Sequence, residues 1–207
     1  SIYGSNAMGG VINIITKKPE KPVEADVSAG YGTFNTKQGS VRLGLRQGKE
    51  KGLFGQIAAT ALDSDGYTSL TPESSDYEAR IDRFVEEYTV DTTLGYDFDS
   101  NNSLQLSYSY FDDRRGEGYK YNIKDGGHRE FDTNNVRLAY DGELAGWQIQ
   151  VNGFYQKEDY FWHRDFANPD SVYTVNSDRE DYGTNISTST DVGDISTVTF
   201  GADLKIS

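Results

Sequence analysis

The 207-residue chain carries 33 acidic and 20 basic side chains, a formal net charge of -13, and no cysteine. A disulfide framework and thiolate metal sites are excluded, and the charge argues against a nucleic-acid partner because phosphate binding needs a basic surface. Hydrophobic residues make up 35% of the chain, but 15 Tyr and 10 Phe are too many for a disordered segment. This composition favours β structure whose two faces meet different solvents.

The first 19 residues differ from the rest of the chain. Small residues lead into a β-branched run at 11–15, which suits a strand buried on both faces. Pro19 and Pro22 cannot donate strand hydrogen bonds and so indicate a linker. We therefore expect a small packed element over residues 1–18, a linker over 19–23 and the main sheet from residue 24.

From residue 24 onward the sequence alternates between apolar and polar residues and predicts nine strands. The clearest case is 103–111, where Leu and Tyr occupy the even positions and Ser and Gln the odd ones up to Ser109. No stretch has a helical period. The predicted strands are residues 24–32, 37–47, 53–62, 87–98, 103–111, 132–140, 147–155, 180–190 and 197–206.

The connections between these strands alternate between short and long. The short ones carry turn residues, and the long ones cover 63–86, 112–131 and 159–179. Short turns at one edge and long loops at the other are typical of an outer-membrane β-barrel, whose tilted strands need ~9–11 residues to cross the hydrocarbon. The pattern therefore predicts an all-β, antiparallel transmembrane segment with apolar faces toward lipid and polar faces toward a lumen.

The same alternation also describes a soluble β-sandwich, so a soluble glycan-binding module is the alternative. Sandwich loops do not alternate so regularly between short and long, which favours the barrel.

A motif near the N-terminus narrows the class of protein. The stretch 3–16 resembles the end of the plug domain in TonB-dependent outer-membrane receptors, and residues 31–36 and 63–67 continue the resemblance. Cobalamin and catecholate-siderophore receptors are the most similar members. The motif positions are Tyr3, Gly4, Ser5, Gly9, Gly10, Val11, Asn13 and Thr16.

The resemblance implies a fold, a location and partners. A plug fills a 22-stranded barrel in that family, so residues 1–18 would end the plug and 24–207 would supply about nine barrel strands. The expected location is the outer membrane of a Gram-negative bacterium, with the TonB complex, membrane lipid and a small extracellular ligand such as a metal chelate as partners. The expected function is import of an iron-siderophore, cobalamin or similar substrate, and the three long loops would be extracellular.

Candidate ligand-binding residues follow from the chemistry of the last two long loops. Aromatic rings can stack on a ligand ring, and guanidinium groups can pair with an anionic group, although loop packing would also account for these side chains. The candidates are Arg114, Arg115, Tyr119, Tyr121, Trp162, His163 and Arg164; the same two loops also offer His128, Arg129, Tyr160 and Phe161.

Other chemistry has little support in the sequence. No nucleophile elbow, phosphate loop or dinucleotide fingerprint is present, so we expect no enzymatic activity and no cofactor. His128 and His163 fall on different predicted loops, which does not favour a zinc site. Six charged residues are expected to face the lumen and contact the plug: Arg42, Arg46, Asp91, Arg137, Asp203 and Lys205.

Overall fold

The computed structural model describes residues 17–166, 172–193 and 195–207. In these ranges the chain is all-β, and nine strands form one antiparallel sheet in sequence order. The strands are β1 (Val23–Gly32), β2 (Thr36–Arg46), β3 (Gly52–Ser64), β4 (Val85–Asp97), β5 (Ser103–Gly116), β6 (His128–Leu144), β7 (Trp147–Asp165), β8 (Val172–Val192) and β9 (Ser196–Ile206). The predicted number and order of strands are confirmed, whereas the motif at 3–16 lies outside the described residues.

A short 3-10 helix, Tyr77–Ala79, lies between β3 and β4. No helix among the described residues has the length and apolar character needed to cross a membrane.

The strand register places the apolar residues of neighbouring strands side by side. Leu106 on β5 pairs with Leu94 on β4 and with Leu138 on β6. These side chains are about half exposed, with Leu106 at 48% and Leu138 at 50%, so no part of the described chain covers them. We call this surface the apolar face; each strand contributes to it, for example through Val27, Val41, Ile57, Leu94, Leu106, Leu138, Val151, Ile186 and Phe200.

The opposite surface, the polar face, carries hydroxyl, amide and charged side chains. The six charged residues predicted to share one surface all lie on it, because their register positions alternate with those of the apolar face. On this face the Arg42 guanidinium lies 2.8 Å from Glu24 and 2.9 Å from Asp26. Phe54 also lies on the polar face, and it is only 2% exposed because another segment of the chain covers it.

Residues 17–22 lie against the polar face and cover Phe54. The Lys18 ammonium is 3.2 Å from Asp97 and 4.7 Å from the centre of the Phe54 ring. Pro19 is fully buried, and a Cβ placed on Gly44 would lie 3.0 Å from its ring. Lys18 therefore contacts β3 and β4, while Pro19 and Pro22 of the predicted linker contact β2.

Strands β5 to β8 are longer than predicted, at 14, 17, 19 and 21 residues. The loops predicted at 112–131 and 159–179 shrink to connections at 117–127 and 166–171, while the loop predicted at 63–86 becomes 65–84. The alternation of apolar and polar residues stops before the strands end, because positions on the side of the apolar face become charged. The hydrogen-bonded pairing of the strand backbones continues beyond that point. Four aspartates show this change, since they lie in one row across β5, β6, β7 and β8: Asp112, Asp132, Asp159 and Asp178.

The two edges of the sheet differ through the connections at 65–84 and 117–127, whereas the connection left from the predicted loop at 159–179 is nearly as short as the turns at the other edge. We call the edge with connections 33–35, 65–84, 117–127 and 166–171 the long-connection edge. The other edge carries short turns, such as the one at Ala145 and Gly146, which have φ of 53° and 80°. Two consecutive positive φ values define a type I′ turn, which matches the twist of paired strands.

Candidate ligand-binding site

A cavity of about 620 Å³ opens on the polar face at the long-connection edge. Its walls come from the connections at 65–84 and 117–127 and from the ends of β6 and β7. We call it the edge cavity. Its volume lies within the ~300–1,000 Å³ range of small-molecule sites.

Aromatic side chains form one part of the lining. Tyr119 and Tyr121 stack with ring centres 6.0 Å apart and planes 12° from parallel. Trp162 contacts Tyr173 edge to face at 6.1 Å and lies at the end of β7, where Phe166 follows. These rings give the cavity flat surfaces on which a planar ligand group can stack.

Three arginines, Arg83, Arg129 and Arg164, form the second part of the lining and are exposed to solvent. Arg129 pairs in register with Trp162, and the Arg164 guanidinium lies 4.8 Å from the Phe166 ring. Among the described residues, none of the three has a carboxylate within ion-pair distance. Five other arginines of the chain are in salt bridges: Arg42, Arg46, Arg114, Arg115 and Arg179.

The acidic residues of the lining are bound to other donors. Trp162 donates its indole N–H to Glu117 at 2.6 Å. Asp76 accepts a hydrogen bond from the Ser75 hydroxyl at 3.3 Å. Burial and the neighbouring Asp76 raise the pKa of the Tyr121 hydroxyl. Asp165 accepts backbone N–H groups from residues 121–123. The arginines therefore remain the charged groups that the cavity can offer to a ligand.

Backbone contacts join the two connections that form the walls. Ile81 donates its N–H to the carbonyl of Gly118 at 3.3 Å, and Lys120 donates to Ala79 at 2.6 Å. Within 117–127, Gly127 donates to the Tyr119 carbonyl at 2.9 Å. These bonds fix the stacked tyrosines beside the 65–84 connection, which supplies Arg83.

Four of the seven predicted ligand residues line the edge cavity: Tyr119, Tyr121, Trp162 and Arg164. Their predicted loop location is only partly right. The two tyrosines lie on a connection, but Trp162, His163 and Arg164 belong to β7, and Arg114 and Arg115 belong to β5. These residues belong to strands because the backbones of β5, β6 and β7 remain paired beyond the last residues that alternate between apolar and polar.

The other three predicted residues lie elsewhere. Arg115 is on the polar face but is held by Asp113 at 2.6 Å and by Glu87 at 2.8 Å. Arg114 extends on the apolar-face side and contacts Glu130 at 3.0 Å. His163 also lies on that side, since its register position alternates with that of Trp162.

The two histidines, predicted to be on separate loops, pair across β6 and β7. The ring centres of His128 and His163 are 6.0 Å apart, and His128 Nδ1 is 3.0 Å from the Gly126 carbonyl oxygen. No group of three or more metal-ligating side chains occurs in the part of the chain that the structure describes.

Sequence reasoning missed Arg83 and Asp165. Arg129 was one of the residues that the predicted loop at 112–131 offers, and extending the alternation of β6 backward from Arg137 places it on the polar face. Arg83 and Asp165 carried no usable signal, since their positions depend on how two connections fold against β7.

Comparison with known proteins gives a receptor and a transporter. Over 98% of its length the chain is 25% identical to the Rhizobactin receptor of Rhizobium meliloti strain 1021, and it covers 32% of that protein. Over 67 residues it is 43% identical to the Vitamin B12 transporter BtuB of Vibrio cholerae strain O395, covering 32% of this chain and 11% of the transporter. The chain thus spans about a third or less of the length of these relatives. No family model matches the chain.

Proposed function

We propose that the chain is part of a TonB-dependent outer-membrane receptor that imports an iron-siderophore, cobalamin or a similar scarce ligand. The receptor and transporter among its relatives support this function. In this proposal residues 1–18 end the plug, 19–23 link it to the wall, and 24–207 form about nine strands of a 22-stranded barrel. Its partners are outer-membrane lipid, a small extracellular ligand and the TonB complex, which it contacts through the plug.

The observation that carries the proposal is the apolar face. It runs across all nine strands, is half exposed, and gives way to charged rows near the long-connection edge. A lipid-facing wall needs such a band, with aromatic residues near its borders. A soluble β-sandwich would cover the face with a second sheet, but the strands of the described ranges all belong to one sheet.

The edge cavity is the proposed ligand-capture site. With the long-connection edge extracellular, the cavity faces incoming ligand on the lumen side of the wall. Its unpaired arginines and stacked aromatic rings fit an anionic ligand that carries planar groups, such as a catecholate metal chelate. Hydrogen bonds to charged groups contribute about 1.5–3 kcal/mol each, so two arginines can decide the affinity.

Ligand binding to the full-length receptor tests this site. The probes are an iron-loaded synthetic tris-catecholate, which is anionic, and vitamin B12. We expect wild-type receptor to bind the tris-catecholate, and Arg129→Ala with Arg164→Ala to weaken that binding about tenfold or more, equivalent to about 1.4 kcal/mol. Arg137→Ala, on the same face but outside the cavity, is the matched control.

Three results would contradict the proposed ligand class or site. They are the absence of tris-catecholate binding by wild type, unchanged affinity in the double variant, and equal losses in the double variant and the Arg137 control. Stronger binding of vitamin B12 that is unaffected by the arginine changes would instead favour a cobalamin-type ligand held by the aromatic rings.

A further inference from the structure

We propose that Asp165 is a positioning residue that holds the 117–127 connection against the end of β7 and so builds one wall of the edge cavity. The inference rests on the proposed ligand-binding role of that cavity. It concerns how the site is assembled before a ligand arrives.

Asp165 is buried, and its carboxylate accepts hydrogen bonds from the backbone of the 117–127 connection; we call this arrangement the Asp165 anchor. The residue is 5% exposed, and its Oδ2 accepts the backbone N–H groups of Tyr121 at 2.5 Å and Ile123 at 3.0 Å. The backbone N–H of Asn122 lies 2.8 Å from Oδ2 and 2.9 Å from Oδ1. One carboxylate thus binds three consecutive backbone donors, and such charge-assisted hydrogen bonds are the stronger kind.

The anchor joins parts of the chain that the sheet does not pair. The 117–127 connection begins at the end of β5 and ends at the start of β6, whereas Asp165 closes β7. The Asn122 side chain adds a bond to the Phe166 carbonyl at 2.9 Å, and Glu117 adds its bond from Trp162. These contacts bring the stacked tyrosines over the strand that carries Trp162 and Arg164.

The same bonds determine which charges remain in the cavity. Asp165 follows Arg164 in the sequence and lines the same cavity, so an unsatisfied carboxylate there would compete for the guanidinium. The three backbone donors occupy it instead. An asparagine at this position could keep an oxygen at the Oδ2 position but would lose the negative charge, and its –NH₂ group would then face the Asn122 N–H at the Oδ1 position.

Asp165→Asn in the full-length receptor tests the inference with two measurements. The first is trypsin cleavage at Lys120 and Lys124, which are exposed side chains of the anchored connection. The second is affinity for the iron-loaded tris-catecholate. We expect cleavage about tenfold faster and binding about tenfold weaker, as loss of a charged hydrogen bond predicts. Asp125→Asn is the matched control, because it removes the same charge from an exposed position in the same connection.

Rescue separates positioning from general loss of stability. Asp165→Glu keeps the carboxylate and should restore slow cleavage and part of the affinity, and the sheet should keep its resistance to heat in detergent in every variant. Unchanged cleavage in Asp165→Asn would overturn the inference, as would faster cleavage with unchanged affinity. If the arginine variants of the preceding section also bind normally, the proposed site itself fails; if they bind weakly while Asp165→Asn binds normally, only the positioning role fails.

Discussion

At the scale of single residues, the edge cavity offers positive groups although the chain is acidic. The formal net charge of the chain is -13, whereas the cavity lining holds three arginines and three acidic residues. The acidic residues accept hydrogen bonds from an indole, a hydroxyl and backbone N–H groups, and among the described residues none of the three arginines is in a salt bridge. The net charge of the chain alone therefore does not predict which charged groups a site offers to a ligand.

The Asp165 anchor should be stable to mild acid. Burial raises the pKa of the carboxyl, but the bonds from Ile123, Asn122 and Tyr121 outweigh burial and hold the pKa below its ordinary value of 3.8. A group whose pKa is lower when folded stabilises the fold fully above the unfolded pKa and loses that contribution as pH falls through the folded pKa. The anchor should therefore persist from neutral pH to about pH 3.8 and weaken below it.

A spin label on Lys124→Cys measures this dependence through its mobility in the full-length receptor. We expect an immobile label at pH 3.8 and above and increasing mobility only at lower pH, with a mobile label at every pH when Asp165→Asn is added. A transition close to neutral pH would contradict the assignment to Asp165.

At the scale of elements, the strands are longer than the band of apolar residues that they carry. The continuous run of apolar and aromatic outward positions on β7 and β8 ends at the pair Tyr155 and Tyr182, and the row of four aspartates crosses the sheet beyond it. Like charges opposite one another destabilise a sheet, so such a row belongs in water, which screens the charges. The segment 17–22 is the other notable element, since it is fixed to the polar face by side chains of β3, β4 and β5 and by the backbone of β2.

A disulfide tests the position of that segment. A Cβ on Gly44 would lie 3.2 Å from the Cβ of Pro19, close to the ~3.5–4.5 Å found in disulfides, and the chain contains no cysteine of its own. We expect Pro19→Cys with Gly44→Cys to cross-link in most molecules on mild oxidation, measured by loss of thiol labelling. Pro19→Cys with Gly39→Cys should not cross-link, because Gly39 belongs to the apolar face. Equal cross-linking in both pairs would show that the segment is not held where the structure places it.

At the scale of the whole molecule, the two faces of one sheet meet different surroundings. Neighbouring residues Leu106 and Ser107 face opposite sides, and the same division holds across the nine strands. A thin apolar content is sufficient because only one face needs it. This explains how a chain with 35% hydrophobic residues forms such a large sheet.

An arginine scan of this pair tests which side faces lipid. Arginine near the bilayer midplane on a lipid-facing position costs about 2–4 kcal/mol, whereas a lumen position tolerates it. We expect Leu106→Arg to reduce the amount of folded full-length receptor in the outer membrane, and Ser107→Arg to have little effect. Folding is measured by heat-modifiable mobility on gels. Equal tolerance of both variants would favour the soluble β-sandwich over the membrane wall.

The sequence by itself determined the number of strands, their order and the two faces. These features depend on alternation between neighbouring residues, a local property that any extended strand must obey when its faces differ. It also supplied four cavity residues, because Tyr119, Tyr121, Trp162 and Arg164 have side chains suited to ligand contact. It underestimated the lengths of β5 to β8, because charged residues on the side of the apolar face interrupt the apolar–polar alternation while the strand continues.

Only the tertiary structure decided which of these side chains meet. Arg83 reaches the cavity because the 65–84 connection bonds to 117–127, and Tyr119 does so because Asp165 holds its connection to β7. Arg114 and Arg115 are bound by carboxylates in salt bridges. Arg129 and Arg164 are in no salt bridge among the described residues, so their guanidinium groups can contact a ligand. The contacts that build the cavity join residues tens of positions apart through irregular backbone, for which no sequence period exists.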